Sequence, residues 1–478
     1  MTISIEIQDQ PEVDMLIYSV PISGTIYLGF ADTLKQSETG KFEFKLKIAQ
    51  PSFITIWDAG FQNRVKLLVE PGNNYYVSMM PQKNMQITGA NEKGQMLYAT
   101  LPDPSFVELE GRKWLNNNDT VPFISVHQQI NDLKQVDISK FKELFDGGEI
   151  TKSYFDLIKK DRDCYYASLE ARLLIIKSYE SYQLRLESLG LKKEDNLLDY
   201  LKEIYEQYPP SDESLLFSSF WDEYAVQFVE EYNQFIQGNF DIQKLREFRN
   251  EGTYYTHIIS ESEKYLSGKA LEFFQARYLY FECLNGTSKG NFEKEFVYLF
   301  EQFEEDYPKS EYSKYIKPYI AEIISFHQII EKPYDPAMLI MDNYETVNTL
   351  EEAIKPLQGK RIYIDIWATW CGPCKAEFVH NETLKKILAE NDIQKLYISI
   401  DRDDKDRQWK DEIKYYNLTG THIRANAEFS LNLMKLFDKK AATPYIAIPW
   451  YILVDENGNI IEEHAKSPSE LVSGEQLW

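Results

Sequence analysis

The spacing of apolar positions changes twice along the chain. Up to about residue 95 the period is two. Phe42, Phe44, Leu46 and Ile48 alternate with charged neighbours, which predicts a strand over 41–48 with one buried face. The stretch LLVEPGNNYYV (67–77) is two apolar runs around a Pro-Gly-Asn-Asn turn, and ITGAN (87–91) closes the region. This pattern predicts an all-β domain over 1–95, a small sandwich or barrel.

From 96 to 335 the period becomes helical. Leu197, Leu201, Ile204 and Tyr208 fall one turn apart and Pro209 stops the run; Phe296, Phe300, Phe303 and Tyr307 do the same before Pro308, 99 residues further on. Two amphipathic helices with proline stops account for this, and a helical repeat is the alternative. The many aromatics here, among them Tyr254, Tyr255, Phe273, Phe274, Tyr278 and Tyr280, read as core.

From 336 to 478 strand and helix patterns alternate. GKRIYIDIW ends in a strand, 371–390 reads as a helix, KLYISID (395–401) as a strand, RQWKDEIKYY (407–416) as a helix, and WYILVDENGNII (450–461) as two strands around Asn457–Gly458. That order predicts an α/β sheet, parallel in its first half. The chain is therefore expected to be multidomain: all-β over 1–95, α-helical over 96–335, α/β over 336–478.

Composition narrows the field. A net charge of −24 argues against a nucleic-acid partner, because the phosphate field would repel the protein. Four cysteines, Cys164, Cys283, Cys371 and Cys374, are too few for a disulfide scaffold in 478 residues, and just one pair is close in sequence. Cys164 and Cys283 read as buried free thiols.

That close pair sits in Trp370-Cys371-Gly372-Pro373-Cys374, where a strand gives way to a helix. Unpaired N–H groups and a partial positive charge at the first helical turn stabilise a thiolate there. Two intervening residues bring the second sulfur within reach of a mixed disulfide, and Pro373 lacks an N–H that the first turn does not need. Upstream, Asp365 interrupts the apolar strand IYIDIW; a carboxyl there is desolvated and its pKa raised. Glu377 lies three residues after Cys374 on the same helical face. A zinc site needs four ligands, or three and a water; Cys371 and Cys374 supply two and His380 could be a third, but the other cysteines lie far away in the helical part and Trp-Cys-Gly-Pro-Cys is a poor knuckle, so no metal is expected. A peroxidase would want a lone cysteine.

WATWCGPCKAEF, with the preceding GKRIYIDI, resembles the active site of thioredoxin-fold thiol–disulfide oxidoreductases, and with ISIDRDDKDRQWKDEIKYYNLTG and the DENG turn it is most similar to the TlpA/ResA-like branch. The resemblance implies a thioredoxin fold over the last 140 or so residues, a dithiol/disulfide cycle on Cys371 and Cys374, and Asp365 or Glu377 as the proton acceptor for Cys374. It implies a cis-proline facing the pair. Pro444 and Pro449 are the candidates, and spacing to Gly458 selects Pro449. Trp370, Gly372, Pro373, Ile448 and Pro449 would then shape the substrate groove. No cofactor is implied. The implied partners are a disulfide-containing client protein and an upstream membrane-embedded thiol reductant. VEPGNNYYV and ITGAN resemble a β-rich domain of bacterial envelope proteins, which implies a periplasmic or envelope location, with a lipid anchor as one form and the leader not in this chain. The rival expectation is a binding or scaffold protein, its first 335 residues gripping a partner, with redox chemistry minor or lost.

Overall fold

The structure, a computed structural model, describes residues 1–474 except 9, 11–12, 23, 38–39, 61, 80–84, 105, 119–120, 192–193, 195, 237–241 and 438–444. The chain divides into two compact units. One holds Met1–Phe281 and Gln302–Ser313; the other holds Glu282–Glu301 and Lys314–Trp478. This division by packing is distinct from the division by element type, because two helical stretches belong to the unit that holds the C-terminal sheet.

The first unit begins with eight strands: β1 (Thr2–Ile7), β2 (Met15–Ile22), β3 (Thr25–Lys35), β4 (Phe42–Lys45), β5 (Ser52–Asp58), β6 (Arg64–Val69), β7 (Asn74–Met79) and β8 (Met85–Gly89). They form two four-stranded sheets of order β4-β1-β7-β8 and β3-β2-β5-β6. Ile3, Ile5, Phe42, Val77 and Ile87 of one sheet and Leu16, Ile54, Ile56, Val65 and Leu67 of the other share one core, so the expected all-β domain is a sandwich. β4 is shorter than its alternation predicted, although Leu46 and Ile48 still pack on that core beyond its end. β6 and β7 lie in different sheets, so the Pro-Gly-Asn-Asn turn carries the chain across the sandwich rather than closing a hairpin, with Gly72 at φ +82°.

Helices follow. Lys152–Ser178 is buried nearly all round and packs against Val107–Asn118, Phe123–Asp146 and Leu197–Gln207. The two proline-stopped helices are Leu197–Gln207 and Glu295–Asp306; each ends one residue before its tyrosine, Tyr208 or Tyr307. Cys164 and Cys283 are buried free thiols. Asp161 and Arg162 are fully buried and paired at 2.9 Å. Tyr98 Oη and Ser218 Oγ donate to the same carboxylate at 2.7 and 2.8 Å, and the guanidinium donates to the Pro102 carbonyl at 2.9 Å. Each nitrogen of the guanidinium and each oxygen of the carboxylate has a hydrogen-bond partner, which offsets the cost of burying the charges.

In the second unit, β9 (Met338–Ile340), β10 (Arg361–Trp367), β11 (Ile393–Ser399), β12 (Gly420–Arg424), β13 (Trp450–Val454) and β14 (Ile460–Glu462) form one sheet of order β14-β13-β10-β11-β12-β9. β10, β11, β12 and β9 run parallel, while β13 and β14 are antiparallel, as the strand–helix order required. The final hairpin is looser than a two-residue turn: 455–459 intervene, and the Asp455 carboxylate accepts the Asn457 and Asn459 N–H groups. Among the described residues no helix is long and apolar enough to cross a membrane.

Arg162→Met is expected to leave Asp161 as an uncompensated buried carboxylate and to lower stability by about 3–5 kcal/mol in urea unfolding; a loss under about 1 kcal/mol would mean that the pair is replaceable.

Candidate active site

β10 is the central strand, buried on both faces. Ile362, Ile364, Ile366 and Trp367 point into the larger core and Tyr363 into the smaller one. In an open sheet with parallel central strands, sites form where the chain leaves the C-terminal ends of the strands. Here the chain leaves β10 as Ala368-Thr369-Trp370-Cys371. The Thr369 N–H and Oγ1 donate to the Asp401 carboxylate at 2.9 and 2.8 Å, and Ser399 Oγ donates to it at 2.8 Å. Asp401, buried beyond the end of β11, thus fixes the approach to the cysteines.

Cys371 caps the helix Gly372–Glu377 with Pro373 in its first turn. The Cys374 N–H points at Cys371 Sγ, 3.1 Å away. The two sulfurs are joined in a disulfide. Cys374 has no exposure and Cys371 3%, whereas Trp370 beside them is 61% exposed. Gly372 and Pro373 are exposed, and a Cβ added at Gly372 would meet nothing. The Ile448–Pro449 peptide is cis and half-buried, ahead of β13. Pro444 lies outside the described residues.

Asp365 is 1% exposed, opposite Tyr397 on β11 and Tyr451 on β13. Burial pushes its carboxyl up; the Lys395 ammonium, 3.3 Å from Oδ2, pulls it back, and Glu377 pushes it up again. Among the described residues no other donor reaches either Asp365 oxygen. Lys395 is itself buried and driven down by desolvation against the pull of Asp365. Its ammonium lies over the Tyr397 ring at 4.2 Å and donates to Asn381 Oδ1 at 3.2 Å. Each group has lost more by burial than the other returns, which raises the acid and lowers the base. Glu377 is placed differently: its two oxygens accept the Ser469 N–H and Oγ–H at 2.8 and 2.9 Å.

Lys395, Asp401 and Ser469 were not singled out from the sequence. The first two carried a signal, since KLYISID has a lysine at the start of an apolar strand and an acid at its end. Ser469 carried none, because its partner is 92 residues away. His422 is fully buried: its Nε2 faces the Leu418 carbonyl at 2.7 Å, its ring stacks on Tyr397 at 4.8 Å, and burial pushes its pKa down to about 3.

The Redoxin family model matches residues 345–474. The thiol-disulfide oxidoreductase ResA of Bacillus thuringiensis is 26% identical over 110 residues, which cover 23% of this chain and 57% of that protein. ResA of Oceanobacillus iheyensis is 33% identical over 57 residues, covering 12% of this chain and 30% of that protein. The chain thus spans little more than half the length of the first of these relatives and less than a third of the second. Among solved structures, a thiol:disulfide interchange protein of the thioredoxin family from Chlorobium tepidum is 20% identical, covering 25% of this chain and 79% of that one with a TM-score of 0.21. A thioredoxin-like protein from Bacteroides caccae is 12% identical, covering 53% and 94% with a TM-score of 0.20.

Lys395→Met removes the cation that lowers the Asp365 pKa, so that pKa is expected to rise further. Carbon NMR titration of the carboxyl measures it; an unchanged or lower value would contradict the pairing.

Proposed function

We propose that this protein, whose residues 345–474 are a Redoxin domain of TlpA/ResA-like thioredoxin fold, is a thiol–disulfide oxidoreductase that reduces client-protein disulfides in the bacterial cell envelope. The observation that carries the reading is the Cys371–Cys374 disulfide at a helix N-terminus, on the loop that leaves the strand bearing the buried Asp365.

In the reduced protein, Cys371 is the attacking thiolate. First-turn N–H groups, with that of Cys374 already aimed at its sulfur, stabilise the charge. It attacks one sulfur of a client disulfide; a mixed disulfide forms and the other client sulfur leaves as thiolate. Cys374 then gives its proton to Asp365 and attacks Cys371 Sγ. The Cys371–Cys374 disulfide forms, the second client sulfur leaves as thiolate, and two electrons have passed to the client. Asp365 is the acceptor in this scheme because, among the described residues, no donor but the Lys395 ammonium reaches its oxygens, whereas both Glu377 oxygens are occupied by Ser469. Glu377 acts on Asp365 by repulsion, favouring its protonated form.

Exposed Trp370, Gly372 and Pro373, with Ile448 and cis-Pro449, form the groove in which the client backbone lies. The Gly-Pro pair favours reduction, and an upstream membrane-embedded thiol reductant restores the dithiol. The β-rich region 1–95 and the helical region 96–335 precede it in the chain.

Cys374→Ser is expected to trap a client mixed disulfide through Cys371, seen as a DTT-sensitive adduct on gels, and Cys371→Ser to trap none; adducts that do not depend on Cys371 would overturn the assignment. Asp365→Asn is expected to slow resolution of the mixed disulfide by about 10²-fold or more near neutral pH. The defect shrinks as pH rises through the Cys374 thiol pKa, where water accepts the proton unaided. A defect independent of pH in stopped-flow measurements would remove Asp365 as the acceptor.

A further inference from the structure

Lys375, the residue after Cys374, does not reach into solvent. Its ammonium turns to Glu412 on the helix Asp406–Tyr415, 3.2 Å from Oε2 and 3.3 Å from Oε1. The side chains are 9% and 0% exposed. Gln408 Nε2 donates to Glu412 Oε1 at 3.0 Å and to the Gly290 carbonyl at 3.2 Å. Gly290 closes the site: a Cβ built on it would fall 2.3 Å from both Glu412 Oε1 and Lys375 Nζ. Its φ of +74° also suits glycine, in the turn that ends the helix Gly268–Ser288. The turn is anchored beside the pair. Phe292 stacks on Phe326 at 4.1 Å and meets Tyr415 at 5.0 Å, and the His327 ring bonds the Phe292 carbonyl at 2.7 Å. All these residues belong to the second compact unit.

A surface lysine would leave its charge to water and salt. Here a helical turn seals a cation one residue from the resolving cysteine and gives it one buried counter-ion. We infer that Glu412 is a positioning residue for the dithiol chemistry: through Lys375, under the lid formed by Gly290, it sets how much positive charge the cysteine helix presents to the thiolates. The inference rests on the redox reading above and gives the helical stretch 282–301 a part in it.

The groups facing Glu412 fit this role. Burial pushes its carboxyl up to about 7; Lys375 and Gln408 pull it down, and the Asp401 charge pushes it up. Gly290 contributes no side chain, and the Tyr416 ring, 6.0 Å from the Lys375 ammonium, brings no charge of its own near neutral pH, because burial pushes its hydroxyl up. With Glu412 ionised the pair is neutral. With Glu412 neutral, the pair carries a full positive charge that favours the thiolates.

The test is the Cys371 thiol pKa of the fully reduced chain, from the pH dependence of ultraviolet thiolate absorbance. Cys164 and Cys283 stay silent in the range used because burial pushes both up. Glu412→Gln is expected to lower the Cys371 pKa by about half a unit or more, a roughly threefold gain in thiolate below the pKa. Lys375→Met is expected to raise it, the double variant to restore the wild-type value, and Lys375→Arg to leave it unchanged. A purely structural role would move both single variants in the same direction or neither, and either result overturns the inference. Should Lys375→Met fail to fold, the downward shift in Glu412→Gln against no shift in Lys375→Arg decides. Thiol ionisation is read without any client, so failure here is separable from failure of the trapping experiment.

Discussion

A carboxyl and an amine are both sealed inside the C-terminal sheet, and the architecture around the cysteines serves to keep them there. Asp365 must lie in the central strand to be dry, so that strand needs neighbours on both edges and helices over both faces. Lys395 must come from the adjacent parallel strand, whose register sets Asp365 opposite Tyr397 and so brings the ammonium to 3.3 Å. Desolvation outweighs the mutual attraction in both groups, which pushes the acid up and the base down. An ordinary surface pair keeps both charges in water; this one is held dry, so each group is biased toward its neutral form, the bias on which the proposed role of Asp365 as proton acceptor draws.

Much of this was legible in the sequence, because its strongest signals are local. The two-residue spacing of Cys371 and Cys374, the apolar alternation around Asp365 and the change of period near residues 95 and 335 each depend on a dozen neighbours at most. Local signals failed where geometry depends on distant segments. The Pro-Gly-Asn-Asn turn does not tell which strands pair: each strand beside it pairs with others, so it crosses between sheets. His422 sits in a polar-looking stretch, yet its strand is covered on both sides and Tyr397 stacks on it. Asp365 and Glu377 look equivalent in sequence. They differ in the fold because Ser469, 92 residues away, occupies Glu377, a contact that no periodicity foretells.

The helical region shows the same limit. Its pattern predicts helices and where prolines end them, but not which helices pack with which sheet. The stretch from Glu282 to Glu301 reads as a continuation of the helical run, yet it packs within the unit of the C-terminal sheet. Gly290 suits the turn that ends its own helix, but the buried ion pair that packs against it comes from two other segments. A long helical segment thus need not be a spacer. Part of it acts as wall and lid for the redox unit, a division of labour set by packing and not by the order of elements.

The central claim is that Cys371 and Cys374 form a working, reducing couple. Its most direct measure is the reduction potential of that pair, by equilibration in dithiothreitol or glutathione buffers with thiol counting. A value near about −270 mV, as in thioredoxin, is the result the account predicts. A value above about −180 mV would make the protein an oxidant or isomerase and reverse the proposed electron flow, and a pair that never equilibrates would leave a binding protein with a disulfide in it.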